Sequence, residues 1–229
     1  ALPEDMLRAR AVPAALSPAV EIQAHPGNAD MSRLHDLLEN AKRPLAILGG
    51  GGWNDQACKD FQAFAEANAI PVCVTFRCQD RIDNTHSSYC GDLGVGQNPK
   101  LQTRVQDADV LLVLGARLGE MSTGGYTLID IPKPRQTLIH VHQGAEELGW
   151  VYQPALAINS GLKNFTAALA AMPPLKAAWS DWTKSARDDY LAWTVPPSIP
   201  GDVQMGEIMT WLNELLDADA ILCNGAGTF

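Results

Sequence analysis

This chain has no paired cysteine pattern, no long apolar run and no excess of positive charge. Cys58, Cys73, Cys78, Cys90 and Cys223 are odd in number and include no C-x-x-C pair. That usage argues against a disulfide framework and a zinc site, and it matches a reducing cytoplasm. No stretch approaches the roughly 20 apolar residues that span a bilayer. The opening Ala1, Leu2, Pro3, Glu4 and Asp5 form neither the basic nor the apolar region of a secretory signal. Lys and Arg number 17 against 26 Asp and Glu, a net charge of -9. A nucleic-acid surface or an anionic-membrane surface needs the opposite balance.

What is present is an α/β pattern. Arg43, Pro44, Leu45, Ala46, Ile47 and Leu48 lead into Gly49, Gly50, Gly51 and Gly52. An apolar run after a proline reads as a strand buried on both faces. The four glycines then let the backbone turn tightly and approach a ligand. From Asp55 on, Ala57, Phe61, Phe64, Ala65 and Ala69 recur at helical spacing. Strand, glycine turn and helix open a Rossmann-like unit, which can place a phosphate at a helix N-terminus.

Further strands are expected at residues 71–75, 108–114, 137–142 and 155–158, with helices at 30–40, 99–107 and 162–171. Asp30 is the expected N-cap of the first of these helices. Residues 76–96 read as a long, ordered polar connection, a length that is usually functional. The implied fold is a parallel sheet with helices on both faces, with ligands beyond the carboxyl ends of its strands. Residues 1–29, rich in proline and alanine, read as a linker, 30–172 as the Rossmann-like domain and 173–200 as an interdomain connector. The connector helix carries Trp179, Trp182, Tyr190 and Trp193 as aromatic anchors. After a fresh helix from 201 to about 216, residues 220–223 read as a strand that runs into a glycine turn. With no initiator methionine at the start, the sequence is expected to be a piece of a longer chain.

Several motifs occur together: Pro3-Glu4-Asp5-Met6-Leu7, Leu48-Gly49-Gly50-Gly51, Ala108-Asp109-Val110-Leu111 through Gly115-Ala116-Arg117, and Asn224-Gly225-Ala226-Gly227. In this order and spacing the set resembles the thiamine-diphosphate enzymes of the acetolactate synthase type. The resemblance implies the end of a pyrimidine-binding domain, a whole central domain and the start of a diphosphate-binding domain at 201–229. It also implies thiamine diphosphate and Mg2+ as cofactors, a 2-keto acid substrate, and carbon–carbon bond formation or cleavage in a homodimer or homotetramer. The activating glutamate and the Gly-Asp-Gly…Asn magnesium motif would lie in the missing domains. No catalytic residue is therefore assigned here, and the piece alone is expected to be inactive.

Relatives hold FAD or ADP in the central domain, or leave it empty. The resemblance puts Gly49, Gly50, Gly51, Gly115 and Arg117 at such a ligand, and Gly227 and Thr228 at the thiamine diphosphate. The glycines also have a plainer explanation as tight strand exits. The turn is not G-x-G-x-x-G, since Asn54 stands where the third glycine would be. The second strand ends in Val74 and Thr75 without the carboxylate that grips an NAD ribose. Arg117 either pairs with a phosphate or forms a salt bridge to Glu120 or Asp130. His140 and His142 share one strand face and suit a structural or ribose-contacting role better than a metal pair. His86 reads as a solvated loop residue, the alternative being one that faces the active-site funnel of an assembled enzyme. The alternatives for the whole are a free-standing FAD- or ADP-binding module and a purely structural domain.

Overall fold

The computed structural model describes residues 3–12, 15–18, 22–176, 179–217 and 219–223. In chain order its elements begin with α1 (Glu4–Arg8), α2 (Asn28–Glu39), β1 (Pro44–Leu48), α3 (Asp55–Ala67) and β2 (Val72–Thr75). They continue with β3 (Tyr89–Leu93), α4 (Pro99–Asp107), β4 (Val110–Leu114), β5 (Thr137–His142) and β6 (Leu156–Asn159). Three helices, α5 (Leu162–Ala170), α6 (Ser180–Trp193) and α7 (Met205–Leu215), close the series.

The six strands form one sheet in the order β3-β2-β1-β4-β5-β6, and every pairing is parallel. β1 and β4 are the switch point, where successive crossovers leave in opposite directions. Strand side chains alternate between faces, so each central strand feeds two cores. Ala46, Leu48, Leu112 and Leu114 join Phe61, Phe165 and Leu38 on one side. Leu45, Ile47, Leu111 and Val113 join Leu101, Val105 and Ala186 on the other. Burial on both faces is why these strands are continuous apolar runs. Opposite the glycine exits, the Asp109 carboxylate accepts from the Lys42 and Arg43 amides at 2.7 and 2.8 Å. It ties the starts of β1 and β4 together.

Three expectations need correction. The 76–96 connection contains a strand, β3, which pairs with β2 through a register shift. Gly91, at φ 115°, sits in that strand. An edge strand interrupted by Gly91 and Asp92 lacks the apolar alternation that marks strands in sequence. Asp30 is not an N-cap, because α2 starts at Asn28 after Gly27, with Asp30 in its first turn. Residues 220–223 are not a strand: Ile221 and Leu222 stay exposed and no neighbouring strand receives them among the described residues.

Helix α6 packs on the sheet domain. Trp179 is buried and its indole N–H donates to the Asn68 carbonyl at 2.9 Å. The Trp182 indole donates to the Pro44 carbonyl at 2.8 Å. Arg104 of α4 lies over the Trp182 ring at 4.2 Å and pairs with Asp189 at 2.8 Å. Helix α7 has no buried residue.

Candidate nucleotide cleft

The exits of β1 and β4 touch backbone to backbone. Gly50 and Gly115 adopt left-handed φ of 66° and 72°, a region open to glycine at no steric cost. A side chain on Gly50 would run into the Gly115 carbonyl. One on Gly115 would meet the Gly49 carbonyl at 2.5 Å and Leu162 at 2.7 Å. One on Gly49 would strike the Thr75 hydroxyl and come within 2.8 Å of Ala116. These three glycines are therefore required by the crossing itself. Gly51 differs, because no atom lies within 4 Å of a side chain placed there.

Above this crossing lies a cleft of about 510 Å³, within the roughly 300–1,000 Å³ of small-molecule sites. It collects Gly50 and Gly51 from the β1 exit, Thr75 to Cys78 from β2, and Gly115 to Gly119 from β4. His142 and Gln143 from β5, with Arg81 and Ser122, complete it. Arg77, Arg81 and Arg117 line it and no Asp or Glu does, in a chain of net charge -9. Two of the three are paired with carboxylates just outside the lining, Arg81 with Asp80 and Arg117 with Glu147, so the free positive charge that favours an anion is that of Arg77.

The N-terminus of α3, where the sequence pattern can place a phosphate, is already occupied. The Asn54 side chain accepts from the Ala57 amide at 2.9 Å, and Asp55 stands in the first turn. The cap uses a free amide and the carboxylate repels an anion.

The arginines are held differently. Arg117 Nε pairs with Glu147 at 3.0 Å, not with Glu120 or Asp130; Asp130 pairs instead with Arg135 at 2.8 Å. A short turn, residues 145–147, delivers Glu147 from far along the chain, a pairing that the residues around Arg117 do not show. Arg81 donates to Asp80 at 2.6 Å and to the Gly50 carbonyl at 3.3 Å. Its Nε is buried without a partner. Arg77 takes a left-handed φ of 61°, stacks at 5.0 Å over Phe76 and has no ion pair among the described residues. Sequence reasoning left Arg77 and Arg81 out of the site; the only signal was their place just after the second strand.

His140 and His142 do share a face, with ring centroids 6.2 Å apart. His140 is buried and donates from Nε2 to the Ala116 carbonyl at 2.8 Å, leaving Nδ1 without a partner. Burial pushes its pKa below the ordinary 6.5, so the ring braces the cleft floor in its neutral form. The Gly144 amide donates to Nδ1 of His142 at 3.0 Å. Among the described residues no group of three or more His, Cys, Asp or Glu is placed to hold a metal ion. His86 is not a solvated residue: its ring is largely covered, lies 3.8 Å from Glu66 and accepts from the Ser88 amide at 3.1 Å. Gly227 and Thr228 lie outside the described residues.

A six-stranded parallel sheet with a ligand cleft at its switch point defines a Rossmann-like α/β domain. Residues 31–169 match the family model for the central domain of thiamine pyrophosphate enzymes, and the chain belongs to that family. It is 28% identical to a sulfoacetaldehyde acetyltransferase of Alcaligenes xylosoxydans, covering 74% of this chain and 28% of that protein. It is 26% identical to an acetolactate synthase large subunit of Parasynechococcus marenigrum, covering 88% and 33% respectively. Against acetolactate synthase isozyme 1 large subunit of Escherichia coli K12 the identity is 31%, covering 66% and 26%. The chain thus spans a third or less of the length of these relatives. No helix among the described residues is long and apolar enough to cross a membrane.

Proposed function

We propose that this chain is the central domain of a thiamine-diphosphate- and magnesium-dependent enzyme that forms or breaks a carbon–carbon bond beside the carbonyl of a 2-keto acid. The names of its relatives, acetolactate synthases and an acetyltransferase, support that reaction class. When bound, thiamine diphosphate supplies an electron sink for the carbanion beside the carbonyl. Gly227 and Thr228 are the proposed contacts to that cofactor, and the pyrimidine- and diphosphate-binding domains are the proposed same-chain partners. A homodimer or homotetramer, which the family resemblance implies, in the cytoplasm completes the proposal, and the free cysteines support that compartment.

Within the chain, the proposed task of the switch-point cleft is to bind ADP or the ADP half of FAD. One observation carries this: three arginines and no carboxylate line a recess at the point where such sheets bind nucleotides. Gly50 and Gly51 bring backbone close to the ligand, Gly49 and Gly115 hold that backbone in place, and Arg81 and Arg117 face its phosphates. The unsatisfied Arg81 Nε supports the fit, because a buried donor without an acceptor costs about 1–3 kcal/mol. Calorimetric titration of the purified chain with ADP and with FAD tests the reading. Saturable binding that weakens about tenfold or more in Arg81→Gln is the expected result. Absence of binding by both nucleotides would leave the domain as scaffold.

A further inference from the structure

The cleft's charges are unevenly distributed, and the imbalance bears on the ligand. Resting on the nucleotide-cleft reading, we infer that the cleft prefers an adenosine nucleotide with a phosphomonoester on its ribose, and that Arg77 is the residue that reads it. In a sheet of this strand order the adenosine ribose lies at the end of β2. A carboxylate there accepts from a free ribose hydroxyl, whereas an arginine there accommodates a ribose phosphate. Here β2 ends at Thr75, and Phe76 and then Arg77 follow along the cleft wall.

Arg77 is the cleft arginine with no carboxylate of its own. Arg117 is engaged by Glu147 at 3.0 Å and Arg81 by Asp80 at 2.6 Å. Arg77 stacks on Phe76, at 5.0 Å from the ring centroid, so its guanidinium is positioned without being neutralised. Its left-handed backbone, at φ 61°, is uncommon for a long side chain and sets the direction of the turn that carries it. Two anion positions therefore face the cleft. Arg81, within reach of the Gly50 carbonyl, serves the phosphates over the glycine turn, and Arg77 serves a further phosphate at the β2 edge. The capped, acid-bearing start of α3 adds no anion position of its own.

The test is calorimetric titration of the full 229-residue chain with AMP, adenosine 2′,5′-diphosphate and adenosine 3′,5′-diphosphate, with ADP as reference. One of the two ribose-phosphorylated ligands should bind roughly tenfold tighter than AMP, the size of one charge-assisted contact. Which of them gains identifies the source: the 2′ arm matches phosphorylated nicotinamide dinucleotides and the 3′ arm matches coenzyme A. Arg77→Asn keeps a residue that tolerates left-handed backbone and removes the charge. It should cut the gain to below about threefold. Arg117→Gln should retain the gain. If AMP and ADP bind but neither ribose phosphate improves affinity, or if the gain survives Arg77→Asn, the inference is wrong and the nucleotide cleft stands. If none of the four ligands binds, the inference falls, and the nucleotide cleft falls with it when FAD also fails to bind.

Discussion

Gly50 and Gly51 are neighbours in the chain with opposite tolerance for a side chain. A methyl group on Gly50 meets the Gly115 carbonyl from a left-handed backbone, while one on Gly51 meets nothing within 4 Å. Gly50→Ala should therefore destabilise the domain by about 2–4 kcal/mol. Gly51→Ala should change stability by less than about 1 kcal/mol, through a less flexible unfolded chain. Urea unfolding of the two variants side by side checks this, and equal losses would mean that the crossing of β1 and β4 is looser than described. Adjacent glycines in one motif thus divide into one that permits packing and one that borders open space. Arg117 shows a related limit: its charge was legible, but its partner Glu147 was not, because ion pairing depends on distance in space.

At the scale of elements, helix α6 separates aromatic residues that the sequence groups together. Trp179 precedes the helix and is buried with its indole donating to Asn68; Trp193, its last residue, is 53% exposed. Trp179→Ala should cost about 3–5 kcal/mol in chemical denaturation, from lost contacts and an unfilled cavity. Trp193→Ala should stay within about 0.5 kcal/mol. The central strands were legible because burial on both faces demands continuous apolar runs such as Val110 to Leu114. β3 was not, since an edge strand with Gly91 and Asp92 needs neither alternation nor a run. Capping shows the same contrast: Asn54 caps α3 with its side chain, whereas Gly27 precedes α2 with no side chain to cap it.

For the molecule as a whole, stability resides in the two cores that sandwich the sheet. Helix α7 belongs to neither and leaves Met205, Trp211 and Leu215 half or more exposed. Ending the chain after residue 200 should therefore leave the free energy of unfolding of the domain, read from its urea midpoint, unchanged within about 0.5 kcal/mol. A large drop in midpoint would mean that α7 contributes to the domain's fold. The chain spans a third or less of its relatives' length.

The sequence by itself determined the class of fold, the parallel sheet, the positions of its central strands and the family. Each of these follows from local patterns: apolar runs, glycine exits and motif order. Tertiary structure decided which glycines are held by packing and that the start of α3 is occupied by Asn54 and Asp55. It also decided that Arg77, Arg81 and Arg117 meet in one cleft with no carboxylate among its lining residues. Those outcomes depend on distances between residues far apart in the chain, and only the completed sheet, with β2, β1 and β4 side by side, sets them.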